Sequence, residues 1–149
     1  LSHNRVEDAK EIGFRLSGTT RMTLEDNRIS GPTKIGVATV DKAHSVIRGG
    51  RIASTGDVGL VWGDNATGSA SQTVIRGPGL GVQLVASAAV DLTDVVADRV
   101  SAASVLASGD ASGTISGLSC GGGDAGIVVL TGPTTVRVKD SPTCREYRK

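Results

Sequence analysis

From Leu24 to Val37 the chain alternates apolar and polar residues, breaks at Asp-Asn, alternates again over "RIS", breaks at "GPTK" and resumes with "IGV". Alternation with a period of two predicts strands buried on one side, and the Gly, Asn and Asp between them predict corners. The unit repeats. Residues 11–31 lie over residues 34–54 at a shift of 23 without a gap, so Ile12 meets Ile35, Gly13 meets Gly36, Leu24 meets Ile47 and Ile29 meets Ile52. The same shift carries Leu1, Asn4 and Val6 onto Leu24, Asn27 and Ile29, and a further one places Val58, Gly59 and Leu60 on Ile35, Gly36 and Val37. Looser copies begin at Thr73, Gly81, Gly113 and Gly126, and "WGDNATGSASQ" reads as a loop inserted between copies.

A period of this length, built from three short alternating stretches, predicts three strands per turn. One copy buries only one side of each strand, so it needs neighbours above and below to complete its backbone pairing. Stacked copies form parallel sheets with strands about 4.8 Å apart and inward files of Ile, Leu and Val. The expected fold is all-β: a parallel β-helix, or solenoid, of about six turns with roughly 23 residues per turn, spanning residues 1–149 as one domain. Asn27 sits where one strand bends into the next, with Asn4 one turn earlier and Gly50 one turn later. This position predicts a left-handed backbone and hydrogen bonds between stacked Asn side chains, a corner role and not a catalytic one. Leu1 aligns with Leu24, in the middle of a strand. That alignment predicts that the chain is the C-terminal portion of a longer solenoid, or that a partner chain covers Leu1 to Val6.

Composition agrees with narrow cores and frequent corners: there are 21 Gly, but one Trp, one Tyr and one Phe. The net charge is +1, from 16 basic and 15 acidic residues. Balanced charge and scarce aromatics argue against nucleic acid as a partner. No apolar run reaches the roughly 20 residues of a membrane span, and no amphipathic helix supports membrane association. Cys120 and Cys144 are 24 residues apart, about one turn. Equivalent positions on stacked turns lie within the roughly 4.4–6.8 Å Cα range of a disulfide, which predicts a staple across the last turn and an oxidising, secreted or cell-surface location. Two cysteines without clustered His or acidic partners make a poor metal site, and no cofactor is expected.

The segments "NRVEDAKEIGF", "NRISGPTKIGV" and the degenerate "GRIASTGDVGL" resemble the repeats of the right-handed parallel β-helix, or pectin-lyase-like, superfamily. The resemblance implies a polysaccharide-active protein, a lyase, hydrolase or epimerase, with much of its catalytic apparatus in another segment or a partner chain. Noncatalytic structural or adhesive surface and fibre β-helices share the fold and form the alternative. Enzymes of this fold place acids, bases or calcium ligands on the outward side of one sheet. Here the corresponding positions, Gly13, Gly36 and Gly59 followed by Arg15, Ala38 and Val61, read as a bare face without acidic pairs, and the epimerase-like "DPHD" signature is absent.

Chemistry could reside in two other places. Arg5, Arg28 and Arg51 share one column at the 23-residue shift and could hold the carboxylates of an acidic polysaccharide by bidentate contacts. Against this, Glu7, Asp8, Glu25 and Asp26 could neutralise them. The segment after Val61 brings together Trp62, Asp64 and Asn65, with Asp57 and Gln83 as possible flanks. Asp57, Asp64 and Asn65 are therefore the catalytic candidates; Trp62, the three arginines and Gln83 are the substrate-binding candidates. Trp62 also aligns with inward Leu16, so core packing competes with a sugar-stacking role. His3 and His44 fall in different parts of the turn and find no nucleophile and acid to form a triad.

Overall fold

The computed structural model describes residues 1–31, 33–53, 56–121 and 126–149. Among them there is no helix, and the strands stack as a parallel β-solenoid of about six coils, in three sheets. The first sheet is built from Arg5–Glu7, Arg28–Ser30, Arg51–Ala53, Val74–Arg76, Val96–Asp98 and Ser119–Cys120. The second contains Ile12–Leu16, Ile35–Thr39, Val58–Trp62, Leu80–Leu84, Ala103–Ser108, Ile127–Thr131 and, beyond them, Arg145–Arg148. The third runs from Arg21–Glu25 through His44–Arg48, Thr67–Ser71, Ala89–Thr93 and Ser112–Ser116 to Thr135–Lys139. All pairings are parallel, each strand bonded to its counterpart one coil away.

The files anticipated from the repeat are present. Leu24, Ile47, Ala70, Leu92 and Ile115 are in register on the third sheet, and Ile29, Ile52, Ile75, Ala97 and Cys120 on the first; all are buried. Val37, Leu60, Val82, Val105 and Val128 supply the file of the second sheet. Cys120 and Cys144 form a disulfide with Cα atoms 5.2 Å apart, compatible with an extracellular location.

Corners are made by left-handed residues, with Gly50 joining Gly49 at one of them. His3, Asp26, Gly49, Gln72, Asp94, Gly117 and Asp140 have positive φ at the bend from third to first sheet; Gly18, Asp41, Asp64, Ala86, Gly109 and Gly132 do so at the bend from second to third. The left-handed residue is therefore Asp26, one place before Asn27. Asn27 instead supplies the stacking bonds: its Oδ1 accepts from the Asn4 backbone N at 2.9 Å and from Asn4 Nδ2 at 3.0 Å, and its Nδ2 donates to the Leu1 carbonyl at 3.1 Å. Asn27 is 8 % exposed, and both its Oδ1 and its Nδ2 find partners in these contacts.

Two other expectations need correction. The segment "WGDNATGSASQ" is no insertion: Trp62 ends one strand, residues 63–66 turn the corner, and Thr67–Ser71 is a full strand of the third sheet. It looks loop-like because Gly68 has no room for a side chain: a Cβ there would lie 2.0 Å from the Ser45 carbonyl oxygen and 3.0 Å from Trp62 Nε1. The spacing in fact contracts by one residue at 77–79, a three-residue corner where 8–11 and 99–102 have four, and more sharply at the last step, where Arg145 pairs with Ile127 at a spacing of 18. Register follows it: Leu84 pairs with Trp62 at a spacing of 22, and with Ala107 at 23.

The second correction concerns Gly13, Gly36 and Gly59, which form no open outer face. Gly36 and Gly59 are buried, and a Cβ on Gly36 would lie 2.5 Å from the Gly59 carbonyl oxygen and 2.6 Å from Ile52 Cγ2. The column is glycine because successive coils approach there, against the isoleucine file of the first sheet. The neighbouring residues Ile12, Ile35, Val58 and Leu80 are in register with one another but lie outside the core cluster. Gly36→Ala is expected to cost about 1–3 kcal/mol, because no backbone atom at the contact can move without breaking register. Gly56→Ala, whose Cβ would meet nothing nearer than 3.8 Å among the described residues, is expected to stay within about 0.5 kcal/mol in the same thermal unfolding experiment.

Candidate functional site

Each candidate side chain takes its position from a coil. Trp62 stands on the inward file that runs Leu16, Thr39, Trp62, Leu84 in register. It is 0 % exposed, and its Nε1 donates to Ser45 Oγ at 2.9 Å, which in turn lies 2.9 Å from Thr39 Oγ1. The three groups satisfy one another inside the core. A ring so placed offers no face on which a sugar could stack.

Asp64 and Asn65 follow at the corner between second and third sheets. Asp64 adopts φ 57° and its Oδ2 accepts from the Asp41 backbone N at 3.1 Å; Asp41 Oδ2 accepts likewise from Gly18 N at 2.8 Å. Asn65 N donates to the Asp41 carbonyl at 2.9 Å. These carboxylates bind the backbone of the preceding coil and tie one corner to the next. Asp57 lies at the other end of Val58–Trp62. Seven residues of extended chain, at about 3.3 Å each, separate it from Asp64 by roughly 20 Å, well beyond the ~5–9.5 Å at which two carboxyl groups flank a glycosidic bond. The structure thus does not bring Asp57 together with Asp64 and Asn65. Gln83 sits beside Val61 and Leu106 on the second sheet, half-buried.

Asp57 belongs to another vertical set. Glu11, Lys34 and Asp57 follow one another at the coil spacing, and Lys34 Nζ donates to Glu11 Oε1 at 3.0 Å. That hydrogen bond, followed by the Glu11 charge and a smaller attraction to Asp57, holds the exposed Lys34 ammonium above its ordinary value. Alternating charges along this corner replace the repulsion that stacked like charges would create.

The arginine column remains. Arg5, Arg28 and Arg51 are adjacent on the first sheet, in the register Arg5↔Arg28↔Arg51, with rows about 4.8 Å apart. Buried Ile29 and Ile52 follow Arg28 and Arg51 in their strands and orient the two arginines outward. Arg5 is paired with Glu7. Among the described residues neither Arg28 nor Arg51 is ion-paired; Asp26 lies 3.8 Å from His3, and Asp98 pairs instead with Arg76 at 2.7 Å. Neutralisation by neighbours therefore reaches one of the three guanidinium groups. Such a row can take successive carboxylates of a linear anion laid along the solenoid axis.

Among the described residues there is no cluster of three His, Cys, Asp or Glu able to hold a metal ion, and no helix is long and apolar enough to cross a membrane. His3 and His44 are far apart in role: His44 Nδ1 bonds Thr67 Oγ1 at 2.8 Å on the outer side of the third sheet. The sequence missed one regularity of the corners. An Asp in one coil stands over a Gly in the next, as Asp26 does over Gly49 and Asp94 over Gly117, where a Cβ would approach the carboxylate to 2.0 and 2.3 Å. The signal was present as Asp and Gly 23 residues apart. No protein-family model matches the chain, and no curated protein and no solved structure matches it either.

If Asp64 serves the corner, Asp64→Asn keeps an acceptor and a residue tolerant of the left-handed backbone. Its urea midpoint should stay close to wild type. Asp64→Ala leaves Asp41 N without its partner and puts a Cβ-only side chain at positive φ, for an expected loss of about 1–2 kcal/mol.

Proposed function

We propose that this solenoid is an extracellular, secreted or surface-bound protein that binds an acidic polysaccharide along its first sheet. The observation that carries the reading is the in-register column Arg5, Arg28, Arg51, in which Arg28 and Arg51 have no ion-pair partner among the described residues. Parallel coils set the guanidinium groups at a fixed pitch, so carboxylates spaced along a polymer are held without reorganising the protein. The β-helix pattern that resembles the pectin-lyase-like superfamily adds the expectation of a glycan ligand. Lyase, hydrolase or epimerase action on that glycan is a finer reading for which Asp57, Asp64 and Asn65, set apart as they are, supply no support.

A structural or adhesive role without chemistry is the second reading. It is favoured by the partly exposed Ile12, Ile35, Val61, Leu80, Leu106 and Val129 on the second sheet, all outside the core cluster. A flat apolar strip of this kind suits lateral packing against another surface.

Binding of polygalacturonate, with neutral galactan as control, separates these readings. The glycan reading predicts salt-sensitive binding of the acid polymer only, weakened about tenfold or more by combining Arg28→Ala and Arg51→Ala. Equal binding by the double variant and wild type would remove the arginine column from the account.

A further inference from the structure

The seventh strand of the second sheet differs from the six before it. Arg145–Arg148 pairs with Ile127–Thr131 in the register Ile127↔Arg145, Val128↔Glu146, Val129↔Tyr147, Leu130↔Arg148. Over the buried Val128 and Leu130 it places Glu146 and Arg148, paired at 2.6 Å, and Arg148 Nη2 donates to the Val136 carbonyl at 3.2 Å. Charged inward positions end the apolar files here and make this edge a poor template for another strand.

On the outer side the same strand presents Tyr147. It is 47 % exposed, the one exposed aromatic among the described residues. Ile127, Val129, Tyr147 and Lys149 line a recess of about 300 Å³, at the small end of the range for ligand sites. Two aliphatic side chains and one aromatic ring supply its apolar lining. Its only cation is Lys149, which has no ion-pair partner among the described residues. An aliphatic lining with one ring suits the C–H face of a pyranose, which needs apolar contact on its flat side. The ammonium adds a point charge for an anionic substituent on that ring.

We propose that this recess is a subsite for a single acidic sugar unit, its ring against Tyr147 and its carboxylate at Lys149. The ligand class rests on the glycan reading above, but the site lies on a different sheet and uses none of the arginines of that column. The recess also depends on the disulfide. Cys144 immediately precedes Arg145, the strand buries no apolar side chain of its own, and the Cys120–Cys144 bond ties its start to the solenoid alongside its backbone ladder and polar contacts. Reduction should free the strand and dismantle half the recess while the coils before it stay folded.

The test is NMR titration of the full chain with monomeric galacturonate, with galactose as the neutral control, following Tyr147 ring and Ile127 and Val129 methyl signals. The expected result is that galacturonate shifts these signals in wild type and equally in the Arg28→Ala, Arg51→Ala double variant. Tyr147→Leu, which keeps the apolar contact and removes the ring, should abolish the effect, and Lys149→Gln should weaken galacturonate roughly tenfold without altering the galactose response. Dithiothreitol should abolish binding and leave the Leu24, Ile47 and Leu92 methyl signals unchanged. Galacturonate that leaves Tyr147 and the two methyl groups unshifted, or that binds Tyr147→Leu as it binds wild type, overturns the subsite. If polygalacturonate still needs Arg28 and Arg51 in that case, the first-sheet reading survives alone; if galacturonate binds here while the arginine variants keep full polymer affinity, the subsite survives alone.

Discussion

Up to Ile127–Thr131 each coil closes on itself in 23 residues, or 22, so that strand N–H groups meet the carbonyls of a neighbouring coil. That constraint governs the rest of the molecule. Left-handed corners make closure possible, and a shift of one residue in any strand would turn its apolar file outward. Within these coils the change from 23 to 22 falls at residues 77–79, a corner, where it costs no pairing. Columns of like residues follow from closure: isoleucines inside the first sheet, glycines where coils approach, carboxylates bonded to the backbone one coil away.

Closure also decides which side chains are left for binding. Asp41 and Asp64 hold one corner, Asn4 and Asn27 another, and Lys34 pairs with Glu11 along a third. What the solenoid does not consume is on its outer surfaces, and these differ. The first sheet carries arginines, the second an apolar strip that ends at Tyr147, and the third hydroxyl groups such as Thr67, Ser112 and Thr135 in one register. Repetition therefore gives rows of one chemistry, suited to ligands that are themselves repetitive.

The period, the inward files, the arginine column and the cystine staple were all legible, because each is a relation between residues one coil apart. Ile12 over Ile35 over Val58 reveals the stacking even though those residues lie outside the core cluster, since register depends on spacing and not on which way a side chain points. What spacing does not reveal is what fills the interior beside a position. Gly36 reads as an empty outward site until Ile52 and the Gly59 carbonyl are seen to occupy its space. Thr67 to Ser71 reads as a loop until Trp62 is seen to supply the bulk that this strand lacks. Asp64 likewise looks free for chemistry in a string of letters, because its partner, the Asp41 N–H, lies one coil back.

The single tryptophan reports on the central claim. In register, its indole protons should give nuclear Overhauser contacts to the Leu84 methyl groups, one coil on at a spacing of 22, because Trp62 and Leu84 share an inward file. Indole contacts to the methyl groups of Val85, the partner required by an uncontracted 23-residue step, would contradict the coil closure described here and every column that depends on it.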